Sequence, residues 1–136
     1  MPSPMPTITL PSSEEIAVLG QGTWHLAENR ARRPSEIAAL RHGIDAGMKL
    51  IDTAEMYADG DAEILVGEAI SGRREQVFLV SKVLPHHATR HGTPRACEAS
   101  CGGSARTGWT STCCTGAALS RSRRPPRRSW PCRRAG

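Results

Sequence analysis

Residues 49–72, KLIDTAEMYADGDAEILVGEAISG, decide how the chain folds. The opening KLIDTA is a short apolar run that reads as a strand, with Asp52 at its carboxyl end. DAEILVGEAISG reads as a helix, with Asp61 near its start and Gly72 at its end. The loop between them carries Glu55 and Tyr57, the single tyrosine of the chain.

The same alternation continues on both sides. Upstream, RPSEIAALRHGIDAGM predicts a helix: Pro34 suits a first turn, Ile37, Leu40, Ile44 and Met48 recur at helical spacing, and Gly47 can stop it. Before it, TITLPSSEEIAVLGQGTW reads as two short extended pieces around a polar turn, followed by a glycine-rich connection. Downstream, QVFLVSKVL is a Val-rich run of strand length, expected to be buried on both faces, and TPRACEAS opens a third helix. Strands alternating with helices over short connections predict an α/β fold with a parallel sheet. Periodicity alone does not separate an open doubly wound sheet from a closed barrel.

Parallel β/α folds gather their chemistry at the carboxyl ends of the strands. Asp52 ends one strand and Lys82 takes the same relative place on the next. Neighbouring strands would set a carboxylate beside an ammonium, with Tyr57 on the adjoining loop. A cation next to a phenol favours proton donation by stabilising the phenolate. The plain alternative is a structural ion pair with a tyrosine packed at the rim.

LGQGTW, GIDAGMKLIDTAEMY and VFLVSKVLP, in this order and spacing, resemble the aldo-keto reductase family, particularly its bacterial members. The resemblance covers about residues 7–100. It implies a (β/α)8 TIM barrel that reduces small carbonyl substrates with NADPH and without metal. It also implies that Tyr57 is the general acid, that Lys82 and Asp52 set its acidity, and that Gly22, Thr23 and Trp24, with Asp52, line the nicotinamide and substrate pocket. Ala58 departs from the glycine that many members carry after the tyrosine. GQGTWH is not a dinucleotide fingerprint, since His25 stands where a third glycine belongs. His86, His87 and His91 crowd the loop after VFLVSKVLP, where a substrate-loop role or solvation outweighs a metal site. His42 reads as an ordinary helix residue.

The composition divides at residue 98. Residues 1–98 hold ten Lys+Arg and all thirteen acids, a net −3; residues 99–136 hold eight Arg and no acid, a net +8. Among Val, Ile, Leu, Met and Phe, the second part has Leu119 alone. It is expected to be a disordered, low-complexity basic tail. The organisation read from sequence is therefore about three β/α units over 1–98, the N-terminal part of a barrel, followed by that tail over 99–136. A chain ending there would leave its third strand as an unpaired apolar edge.

The tail also reads as a shifted frame. Joining the last base of each codon to the first two of the next turns Trp109–Thr110 into aspartate, Cys113–Cys114 into leucine, and Cys114–Thr115 into histidine or tyrosine. With G/C-rich third positions and a few chosen bases elsewhere, residues 100–116 can encode LRRLGTDWLD(L/F)(Y/H)LL(H/Y)W, close to the fourth strand of the family it resembles, whose histidine completes that family's catalytic tetrad. On this reading the chain is a truncated, inactive family member. The rival is an arginine-rich arm that associates with nucleic acid through eight arginines, Trp109 and Trp130; incidental binding of that kind is expected even of a shifted tail.

The first 96 residues contain no cysteine, which suits a cytoplasmic protein without a disulfide framework. Cys97, Cys101, Cys113, Cys114 and Cys132 form no C-x-x-C or zinc-type spacing. Neither a secretory leader nor a membrane-spanning run is apparent.

Overall fold

The computed structural model describes residues 5–11, 13–103 and 113–115. Strands β1 (Thr7–Thr9) and β2 (Glu15–Ala17) form an antiparallel hairpin, matching the two extended pieces, although Glu15, read as the end of the Pro-Ser-Ser-Glu-Glu turn, opens β2. A separate parallel sheet follows in the order β3 (Gly20–Gly22), β4 (Leu50–Asp52), β5 (Phe78–Val83) and β6 (Cys113–Thr115). Helices α1 (Arg33–Asp45), α2 (Asp61–Ala69) and α3 (Gly92–Gly103) connect the strands in turn. The result is three β/α units and a fourth strand, with no closed barrel among the described residues.

The glycine-rich segment taken as a connection is itself the first parallel strand. Glycine is poor strand former by propensity, but this strand requires close approach. A Cβ on Gly20 would lie 2.9 Å from both Leu50 Cγ and the Leu50 carbonyl oxygen. Between the glycines, Gln21 donates through Nε2 to the carbonyls of Leu40 (3.1 Å) and Met48 (2.9 Å), tying α1 and its exit to β3. Gly43 of α1 makes room for that amide, since a Cβ there would sit 2.1 Å from Gln21 Oε1.

One side of the sheet is packed. Ile51 and Leu79 join Leu40 and Ile44 of α1 and Leu65, Val66 and Ala69 of α2 in one buried cluster. Burying each of the Ile, Leu and Val side chains contributes on the order of 1.5–3 kcal/mol. Arg33 bridges the two helices at the surface, donating to Glu68 at 2.7 and 3.2 Å. Gly47, with φ 94°, turns the chain out of α1 toward β4.

The opposite side is open. Along β5 the residues alternate, with Leu79, Ser81 and Val83 buried and Phe78, Val80 and Lys82 half-buried. The expectation of burial on both faces thus fails, because helices cover only one. The expected unpaired edge on β5 also fails: Cys113–Thr115 pair with it in parallel, Cys114 opposite Lys82. Helix α3 continues past residue 98 to Gly103. All eight arginines of the 99–136 segment lie outside the described residues, and so do the expectations of disorder and nucleic-acid binding attached to them. No described helix is long and apolar enough to cross a membrane.

Candidate functional site

The open face and the carboxyl ends of β4 and β5 carry the site. Parallel pairing sets Asp52 opposite Gly22 on one side and Val80 on the other. Two residues on, Lys82 shares the face of Val80, because strand side chains alternate with a period of two. Backbone rungs continue beyond β4: Thr53 N–H donates to the Val80 carbonyl (2.8 Å) and Glu55 N–H to the Lys82 carbonyl (3.2 Å).

The side chains converge there. Lys82 Nζ donates to both Asp52 carboxylate oxygens at 2.6 Å and to the Thr53 carbonyl at 3.2 Å. The same ammonium lies 3.5 Å from the Tyr57 hydroxyl and 5.3 Å from the centre of its ring. Asp52, Tyr57 and Lys82, singled out from sequence, therefore form one constellation. The Lys82 and Asp52 side chains are 27% and 43% exposed, so the pair faces a space that a ligand can reach. Electrostatically, the ammonium can steady negative charge appearing on the phenol oxygen while Asp52 holds the ammonium in place.

The four residues expected at the cofactor play different parts. A Cβ added to Gly22 would meet nothing within 4 Å, leaving space beside Asp52. Trp24 is 70% exposed, its indole stacked on the His25 ring at 4.6 Å. Thr23, by contrast, is fully buried, and its N–H and Oγ1 both donate to the Asp52 carbonyl, at 3.0 and 3.1 Å. It braces the strand end that carries Asp52.

Behind Tyr57 the backbone is strained. Ala58 and Asp59 adopt left-handed conformations (φ 49° and 53°), followed by Gly60 at φ 94°. Such a conformation costs a non-glycine residue about 1–2 kcal/mol, so the departure at Ala58 has a physical cost. The loop is nonetheless held, because Ala58 packs against the core cluster.

Two carboxyl groups were given no role from the sequence. Glu55 accepts hydrogen bonds from Leu84 N–H and, at 3.0 Å, pairs with His87 Nδ1, fastening the loop after β5 to the loop that bears Tyr57. This gives His87 a definite partner, while His86 meets His87 edge-on. Glu63 on α2 is 4% exposed and accepts from Ser81 Oγ at 2.6 Å. Burial pushes its carboxyl above the usual glutamate range, against hydrogen bonds from Ser81 and Ser100 that pull it down; nearby Glu55 adds to the rise. A signal for Glu63 was present: it stands three and four residues before the buried Val66 and Gly67. Glu55 offered none.

Known proteins resemble this chain in sequence and fold. The Aldo/keto reductase family model matches residues 18–112, extending past residue 100, where the sequence pattern was read as ending. A methylglyoxal reductase of Escherichia coli is 58% identical over 85 residues, covering 62% of this chain and 30% of that protein. A 6-dehydroglucose reductase of Novosphingobium aromaticivorans is 38% identical over 82 residues, 52% of this chain and 27% of its own length. An aldo/keto reductase of Klebsiella pneumoniae, crystallised with NADP and acetate, superposes with a TM-score of 0.69 at 50% identity, covering 72% of this chain and 35% of that one. The chain thus spans about a third of the length of these relatives. On the match over residues 18–112 and the structural likeness beside it, the chain belongs to the aldo/keto reductase family.

Proposed function

We propose that the chain carries the proton-transfer half of an NADPH-dependent reduction of small aldehydes and ketones. The observation behind this reading is the convergence of Lys82 Nζ on Asp52 at 2.6 Å and on the Tyr57 hydroxyl at 3.5 Å. Tyr57 gives its proton to the carbonyl oxygen of the substrate. Lys82 stabilises the negative charge left on the phenol oxygen, and Asp52 keeps the lysine directed at it. Gly22 and Trp24 border the nicotinamide, with Thr23 bracing Asp52 from behind. NADPH, when bound, supplies the hydride to the carbonyl carbon. The Klebsiella relative bound to NADP supports this cofactor.

By itself the 136-residue chain does not turn over in this reading. The part matched corresponds to about a third of each relative, and the dinucleotide's phosphates would find no further strand-end loops among the described residues. The shifted frame supplies the rest. Its support is the place of β6: Cys113–Thr115 lie where the shifted codons read leucine and histidine or tyrosine, with Cys114 in register with Lys82. The test is to sequence the gene through codons 96–117, express both products, and follow NADPH consumption with a panel of aldehydes. The frame-restored protein is expected to be active, and Tyr57→Phe in it to lose about 10²- to 10⁴-fold, the usual worth of a general acid. Turnover that survives Tyr57→Phe would remove Tyr57 from its role, and family-like rates from the 136-residue chain would refute its inactivity.

A further inference from the structure

A cavity of about 380 Å³ opens at the strand ends, lined by Trp24, Glu28, Met56, Tyr57 and Ala58. Two of its walls, Trp24 and Met56, are large apolar side chains left exposed at 70% and 43%. Glu28 contributes the one formal charge among these lining residues. Its position is set by the loop that presents it. Leu26 N–H donates to the Thr23 carbonyl (3.0 Å), Ala27 N–H to Glu36 Oε2 (2.9 Å), and His25 and Ala27 both hold φ at 67°.

Among the described residues, no unpaired cation lines the cavity. His25 Nδ1, the nitrogen closest to this carboxylate, is already engaged with Glu28 Oε1 at 2.7 Å and is not free to receive an anion. Lys82 next door is already bonded to both oxygens of Asp52. A substrate bearing a carboxylate would bring a second negative charge to Glu28 with no unengaged cation on the lining to receive it. An uncharged carbonyl compound would meet an indole, a thioether and a phenol. We infer that Glu28 is a specificity residue, a charge filter that admits neutral aldehydes and ketones and rejects keto acids. The inference rests on the carbonyl-reductase reading above and narrows its substrate class. The two curated relatives, named for methylglyoxal and 6-dehydroglucose, are both named for uncharged carbonyl compounds.

Methyl pyruvate and pyruvate share a skeleton and differ in charge, and they provide the test. In the full chain carrying Trp109→Phe and Trp130→Phe, Trp24 is the sole indole, and saturable quenching of its fluorescence reads occupancy. Free tryptophan amide serves as the control for collisional quenching. Methyl pyruvate is expected to bind at least about fivefold more tightly than pyruvate, the size of one like-charge contact at roughly 4 Å in water. Glu28→Gln should close most of that gap. Pyruvate binding equal to or tighter than methyl pyruvate, a gap that survives Glu28→Gln, or no saturable change with either compound would each overturn the inference. The readout needs neither NADPH nor turnover. Its failure refutes the filter alone, whereas an active Tyr57→Phe enzyme refutes the catalytic reading alone.

Discussion

Removing the Ser81 hydroxyl should destabilise the protein in a pH-dependent way. Ser81 and Glu63 are 2% and 4% exposed, and the Ser81 Oγ lies 2.6 Å from Glu63 Oε1. Ser81→Ala takes one donor from a carboxylate that water barely reaches. A hydrogen bond to a charged group is worth about 1.5–3 kcal/mol, against roughly 1 kcal/mol when both partners are neutral. The direction with pH follows from linkage. Burial holds the folded carboxyl above its unfolded value of 4.5, so the folded state binds the proton more tightly. The stability this group contributes is complete below the unfolded value and is lost as pH rises through the folded one. Deleting Ser81 removes a bond that lowers the folded value, so the loss extends to higher pH. Urea unfolding of wild type and Ser81→Ala should therefore differ by about 1 kcal/mol in mild acid and by about 2–3 kcal/mol above neutrality. Taking the difference between the two proteins cancels the titration of the other carboxylates. A gap that stays constant across this range, or narrows as pH rises, would refute the assignment of Glu63 as a buried carboxyl dependent on Ser81.

Three other substitutions separate packing from chemistry. Lys82→Met should lower stability by no more than about 1 kcal/mol, because a half-exposed ion pair is worth little, while abolishing turnover in the frame-restored enzyme; a severe loss of thermal stability would make the pair structural. Gly43→Ala should cost about 1–3 kcal/mol, since the new methyl would fall 2.1 Å from Gln21 Oε1 and push the amide off Leu40 and Met48; an unchanged urea midpoint would show that Gln21 anchors nothing. Ala58→Gly should raise stability by a few tenths to about 1 kcal/mol, as relief of a left-handed φ of 49° outweighs the greater freedom glycine gives the unfolded chain. A lowered melting temperature would mean that the Ala58 methyl's packing dominates.

What the sequence disclosed depended on how local each cause was. The α1 and α2 helices and the β5 strand were legible because apolar spacing at 3.6 and contiguous Val-rich runs are written in neighbouring residues. Asp52, Tyr57 and Lys82 were legible because the parallel alternation places strand ends together and the resemblance named the same three. Gly20–Gly22 was misread because its reason for being a strand lies about thirty residues away in Leu50, and in the fit of Gln21 beneath Gly43. The open face of β5 looked like core because a run such as FLVSKV carries no sign of whether a second layer lies over it. Glu63 shares a helix face with Val66 and Gly67, but its partner Ser81 lies eighteen positions on, beyond the reach of local spacing. Glu28 stood in a polar loop, and only the cavity beside Met56 and Tyr57 gave its charge a meaning.

The rungs from Thr53 and Glu55 to Val80 and Lys82 continue the β4–β5 ladder past the last strand residue and through the constellation itself. The backbones that carry Asp52 and Lys82 cannot separate by loop motion alone; parting them requires main-chain bonds of the sheet to break in sequence. Amide hydrogens of Thr53 and Glu55 should accordingly exchange with solvent in step with those of β4 rather than with the loop they enter. The zipped strands then keep the carboxylate and the ammonium within reach of each other, so that the pair can close by side-chain rotation alone.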